Sequence, residues 1–174
     1  MILTFGRYSL DVDAERTREY YRTAERVTES CSCDGCRNFE RAADGLAGPV
    51  REFFDLLGAD LKKVRECYVN GAAEDGTLLY GGFCHLCGTL AEGESAWKSI
   101  SDRESGWCGR EAYPVTDSFL VAFQENVDLP EDGFPQPMVQ MEFSAALPWV
   151  LEKRNPYLTE DPPGADLRKG EGTE

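Results

Sequence analysis

Glu74-Asp-Gly-Thr77, running straight into Leu78-Leu-Tyr-Gly-Gly-Phe-Cys-His-Leu-Cys-Gly-Thr-Leu90, decides how this chain folds. Past residue 64 the apolar period is two, so Cys67 and Val69 share one face of a strand. The Glu74–Thr77 turn then reverses the chain, and the run 78–90 returns as the partner strand. Gly81-Gly82 inside that run marks a bulge or the close approach of another backbone. Further along, Phe119, Val121 and Phe123 mark one face of a third strand in this region, and Val139, Met141 and Phe143 mark a fourth. Residues 91–115, with Trp97, Trp107 and Cys108, read as an irregular loop.

Upstream of that stretch the period is helical. Residues 2–10 form a first strand, and Asp13 caps a helix over 14–28 in which Ala14, Tyr20, Tyr21, Ala24 and Val27 recur at helical spacing. Cys36, Phe39, Ala43 and Leu46 fall on the stripe of a second helix, with Asp34 available as its cap. A third starts at Gly48-Pro49, buries Val50, Phe53, Phe54 and Leu57, and stops at Gly58. Helices first and strands afterwards predict one α+β domain over 1–152, its N-terminal helices packed on an antiparallel sheet. From 153 to 174 the chain is polar and rich in proline and glycine, which predicts a disordered tail.

Composition narrows the function classes. The formal net charge of −14 opposes a phosphate backbone, and Lys62-Lys63 with Arg65 is the one dense basic spot before the tail, so nucleic acid is not the expected partner. No run approaches the roughly 18 apolar residues that span a bilayer. The N-terminus lacks the charged start and apolar stretch of a secretory signal, which points to the cytoplasm. Seven cysteines in a reducing compartment are then metal ligands or redox groups rather than a disulfide framework.

Their spacing favours a metal. Cys31-Ser-Cys33-Asp-Gly-Cys36 and Cys84-His-Leu-Cys87-Gly88 each contain a C-x2-C pair, the spacing that presents thiolates to a tetrahedral zinc. If 84–87 is extended, His85 and Cys87 share one face and Cys84 takes the other, giving a site of Cys31, Cys33, Cys36 and Cys87. A turn there would instead admit both Cys84 and Cys87 and release Cys31. His85, the sole histidine, is either a substitute ligand or a strand residue with a satisfied hydrogen bond. Cys67 reads as simply buried, and Cys108 as structural.

Several of these segments together resemble an uncharacterised bacterial family of Firmicutes type. They are Cys31 to Asn38-Phe39, Gly81-Gly82-Phe83 to Gly88-Thr89, Phe134-Pro-Gln-Pro-Met-Val-Gln-Met-Glu142, and Leu147-Pro-Trp-Val-Leu151. The family carries a C-x-C-x2-C-x-N element and a Leu-Pro-Trp ending, and the likeness covers roughly residues 8–152. It implies ligands at Cys31, Cys33, Cys36 and Cys87. At Cys84 the family commonly has an aromatic residue, so this chain departs there. It implies no activity. The expected function is a zinc-stabilised cytoplasmic interaction module whose acidic surface suits a basic protein partner. The alternative is a thiol–disulfide oxidoreductase using Cys84 and Cys87. A hydrolytic metal site is disfavoured, because catalytic zinc usually recruits histidine or carboxylate and keeps a position open.

Overall fold

A computed structural model describes residues 1–158 of the chain. Its spine is β4 (Leu78–Glu92), flanked along one edge by β9 (Met138–Leu147) in register from Leu78↔Leu147 to Cys87↔Met138. The other edge is shared. β3 (Glu66–Ala72) pairs with its first part, and β2 (Tyr8–Val12) pairs with residues 88–92. Beyond these, β1 (Ile2–Phe5) joins β2, β8 (Phe119–Gln124) joins β9, and β7 (Tyr113–Thr116) joins β8, every pairing antiparallel. The fold is α+β, as the order of elements implies.

Between β3 and β2 the edge of β4 has no strand beside it among the described residues, and α1 (Ala14–Thr23) takes that place. Its Tyr21 hydroxyl accepts from His85 N at 3.2 Å and donates to His85 O at 2.9 Å. Cys87 N donates to Thr17 Oγ1 at 3.0 Å, and Cys87 O accepts from Asp13 N at 2.8 Å. Buried backbone groups must be paired, and a helix with two well-placed hydroxyls does here what a strand does elsewhere. Asp13 caps this helix as expected, accepting from Arg16 N.

The remaining α-helices among the described residues are α2 (Val27–Ser30), α3 (Asp34–Ala43) and α4 (Gly48–Leu57). The last two supply the aromatic core. Phe39 stacks on Phe143 with centroids 5.6 Å apart, Phe143 on Phe119 at 5.7 Å, and Phe53 meets Phe5 at 4.9 Å. Gly58 closes α4 in the left-handed region at φ 74°, and a Cβ there would stand 2.1 Å from Ala14 O.

Four expectations are corrected. The strand over 2–10 is a hairpin, because Gly6 at φ 58° turns the chain between Phe5 and Tyr8. The helix over 14–28 ends at Thr23, where Lys63 Nζ takes the carbonyls of Tyr21 and Arg22, at 2.6 and 3.2 Å, that a longer helix would have used. Residues 91–115 contain a two-stranded ribbon, β5 (Trp97–Ser101) with β6 (Glu104–Trp107), hydrogen-bonded as a sheet of its own, as well as β7. The tail does not begin at 153. Asn155 is buried and donates to Gly76 O, and Tyr157 packs edge-on against Trp149. Residues 159–174 of the expected tail lie outside the described residues.

Candidate metal centre

The thiols of Cys31, Cys33 and Cys36 all lie within 4.8 Å of one another, a group that could hold a metal ion. Local sequence brings them together. Cys31 follows α2, and its N–H donates to Val27 O at 3.0 Å. Cys33 rather than Asp34 is the N-cap of α3, its sulfur accepting from Cys36 N at 3.4 Å. Asp34 is left to pair with Lys153 at 2.7 Å. Cys36 sits inside the first turn, on the face turned toward the sheet.

Cys67 adjoins this group through Cys36, although its sulfur is not within 4.8 Å of all three. Its Sγ is 3.8 Å from Cys36 Sγ, across the contact between α3 and β3. Bonds of about 2.3 Å from zinc to each sulfur of a tetrahedron set neighbouring sulfurs about 3.8 Å apart, and the Cys36–Cys67 pair matches that spacing. Burial, the leading cause, pushes the Cys67 thiol up to about 12, and burial with Cys67 beside it pushes Cys36 up as well. Cys31 is held lower, chiefly by the Cys33 backbone N–H. Soft thiol donors gathered this closely form a donor set suited to a divalent cation such as zinc.

Cys87 is not in this group, and the expected set of Cys31, Cys33, Cys36 and Cys87 is corrected on that point. The extended run is as anticipated, with Cys84 on the helix-covered face and His85 and Cys87 on the other. Cys87 therefore faces away from the thiols, among Asp13 and Arg16. His85 is fully buried and paired through Nδ1 with Glu131, its Nε2 3.4 Å from Gln140 Oε1. Cys67 stands opposite Gly82, on the face where α3 lies, only because β3 carries a bulge between Val69 and Gly71; an unbroken register from Ala72↔Leu78 would set it opposite Phe83, on the other face. Reading Cys67 as only a packed residue missed that.

The two ends of the motif meet here. Fully buried Asn38, two residues past Cys36, donates to Pro148 O at 3.0 Å and accepts from Val150 N at 2.7 Å. The Leu147–Leu151 segment is thus a seal over the core. Tyr80 Oη donates to Gly35 O at 2.8 Å and ties the same turn to β4.

The basic spot at 62–65 is engaged inside the molecule. Lys62 pairs with Asp44, Lys63 with the α1 carbonyls, and Arg65 Nε with Leu129 O at 2.8 Å. Among the described residues no helix is long and apolar enough to cross a membrane. Comparison of the chain with protein-family models, with curated proteins and with solved structures finds no match in any of the three.

Proposed function

We propose that Cys31, Cys33, Cys36 and Cys67 hold one structural zinc ion, and that the protein is a zinc-stabilised, non-enzymatic interaction module of the cytoplasm. The observation that carries this is the fourth sulfur: three clustered thiols leave one tetrahedral position, and Cys67 stands at ligand spacing from Cys36. Four thiolates close the coordination shell, leaving no position for substrate or water. The ion would clip the entrance of α3 to β3, and closed sites of this kind contribute on the order of 10 kcal/mol to folding in small domains. With the 62–65 cations engaged internally and a net charge of −14, the surface favours a basic protein partner. Thiol–disulfide exchange through Cys84 and Cys87 has no geometric support. Their side chains leave opposite faces of one strand, and burial pushes the Cys84 thiol far up.

Metal analysis tests the site. Protein purified under reducing conditions without chelator should carry about one zinc per chain. Cys67→Ser should lose most of it, while Cys87→Ser keeps it. Retained zinc in Cys67→Ser with loss in Cys87→Ser would return the fourth position to Cys87. A folded wild-type protein free of zinc would end the metal reading.

A further inference from the structure

The face of the sheet turned away from the helices carries a row of polar side chains, and the row ends in a buried carboxylate without a cation. Glu131 pairs with His85, His85 approaches Gln140, and Gln140 Nε2 donates to Glu142 Oε1 at 3.1 Å. Gln124 Nε2 donates to the same Oε1 at 2.6 Å. Glu142 is only 6% exposed, and its Oε2 has no hydrogen-bond partner among the described residues. The Trp97 indole lies near enough to draw on the carboxylate without meeting Oε2 in hydrogen-bond geometry. No lysine or arginine is paired with it among those residues. A buried carboxylate held by two amides and an indole, with no cation beside it, is an incomplete arrangement.

Glu142 lines a cleft whose walls are aromatic. Tyr68, Phe83, Trp97 and Trp107 surround it, and the glycines at 81 and 82 form its floor. A Cβ on Gly81 would stand 2.7 Å from the Tyr68 ring, so glycine there is what lets that ring lie flat over β4. Trp97 and Trp107 meet at 78° with centroids 6.1 Å apart, two faces set nearly at right angles. Tyr68 and Trp97, each 38% exposed, form an open rim. The cleft measures about 70 Å³, well below the roughly 300–1,000 Å³ of sites for drug-sized ligands. It still exceeds several times the roughly 10–15 Å³ that one water needs. It suits one small group on a stalk.

We propose that this cleft receives the ammonium head of a lysine-type side chain, carried by the basic protein partner inferred above, on which reading the identity of its carrier rests. The head supplies the cation that Glu142 lacks, and its methylenes and charge lie against the ring faces, where a cation within about 6 Å of a centroid is attracted. An anion is repelled by Glu142 and a neutral apolar group leaves Oε2 unpaired; a neutral hydroxyl could pair with Oε2, and with the unpartnered Trp107 Nε1, but leaves the carboxylate charge uncompensated, which favours a cation. The size of the cleft selects a single alkylammonium.

The probe is n-butylammonium, with 1-pentanol as its neutral counterpart, read by tryptophan fluorescence in a Trp149→Phe background that removes the indole outside the cleft. Butylammonium should saturate with a Kd of about 1–10 mM. Glu142→Gln should weaken it at least about tenfold while keeping a native circular dichroism spectrum. Trp97→Leu, on the solvent-facing ribbon, should weaken it similarly without touching the core. A lysine-rich peptide should bind more tightly than butylammonium and lose affinity in the same two variants. No saturable signal with butylammonium, pentanol bound as tightly as butylammonium, or undiminished binding in both variants would each overturn the proposal. Salt-sensitive peptide binding that ignores both substitutions would overturn the cleft alone and leave the basic partner standing. Loss of peptide binding altogether would remove the partner too.

Discussion

Glu142 shows how one residue records a conflict between burial and charge. Burial raises its pKa above the ordinary 4.5, Asp128 adds to the rise, and the amides of Gln140 and Gln124 with the Trp97 indole oppose it. Tyr68, which lines the same cleft, and Tyr8 on β2 both feel the charge of this carboxylate, which helps to raise them behind the larger effect of burial. An acid whose folded pKa is raised binds its proton more firmly in the native state than in the unfolded one. Its contribution to stability is therefore fullest at low pH and declines as pH rises from about 4.5 through the folded value. Glu142→Gln keeps an acceptor for both amides and removes the charge. The variant should unfold at higher denaturant than wild type at pH 7, and the gap should close as the pH approaches 4. A gap that widens on acidification would show that the carboxylate is stabilised in the folded state. The sequence held a signal for this residue: Gln140, Glu142 and Ser144 alternate with Val139, Met141 and Phe143, so strand reading places them on one face. It gave no hint that the ribbon would bury them, because the ribbon itself reads as loop.

At the scale of elements, α1 is the informative case. The run from Ala14 is legible as a helix from its spacing and its cap, yet nothing in that pattern says it will stand in for a strand. Thr17 and Tyr21 show the difference only when set beside β4, where they meet Cys87 N and His85 N. Thr17→Val keeps the shape and leaves that Cys87 donor unpaired in the interior, which should cost about 1–3 kcal/mol in chemical denaturation. Thr23→Val, on the exposed face of the same helix, should cost under about 0.5 kcal/mol. Equal effects would mean that the helix contributes only its apolar contacts. The strands 78–92, 119–124 and 138–147 were legible because each has one apolar face at period two. The Trp97–Trp107 ribbon was not, since strands exposed on most positions lack that alternation.

For the whole molecule, the described chain closes on its own beginning. Beyond the Leu-Pro-Trp seal, Trp149 Nε1 donates to Lys153 O at 2.7 Å, Lys153 pairs with Asp34, and Tyr157 stands over Gly35 between Cys33 and Cys36. A chain ending at residue 152 should therefore melt roughly 5 °C below one ending at 158, and its cluster cysteines should alkylate faster. Matching melts and rates would show that residues 153–158 carry no weight. Composition marks residues 153–158 as tail, since three of the six are charged or proline; what holds them is contact with the thiol turn, a relation no local window contains. The cysteine group was legible for the same reason in reverse: Cys31, Cys33 and Cys36 are neighbours in sequence, while Cys67 is a neighbour only through the hairpin register.

That register also orders events in time. All four thiols have been made once Cys67 is synthesised, whereas β9, which pairs along most of β4, starts only at Met138. At about 5–20 residues per second, the roughly seventy residues between them take on the order of several seconds to translate. For that interval the growing chain holds every sulfur of the proposed clip and none of the strand that completes its sheet, so the N-terminal half is the part that meets the cell first.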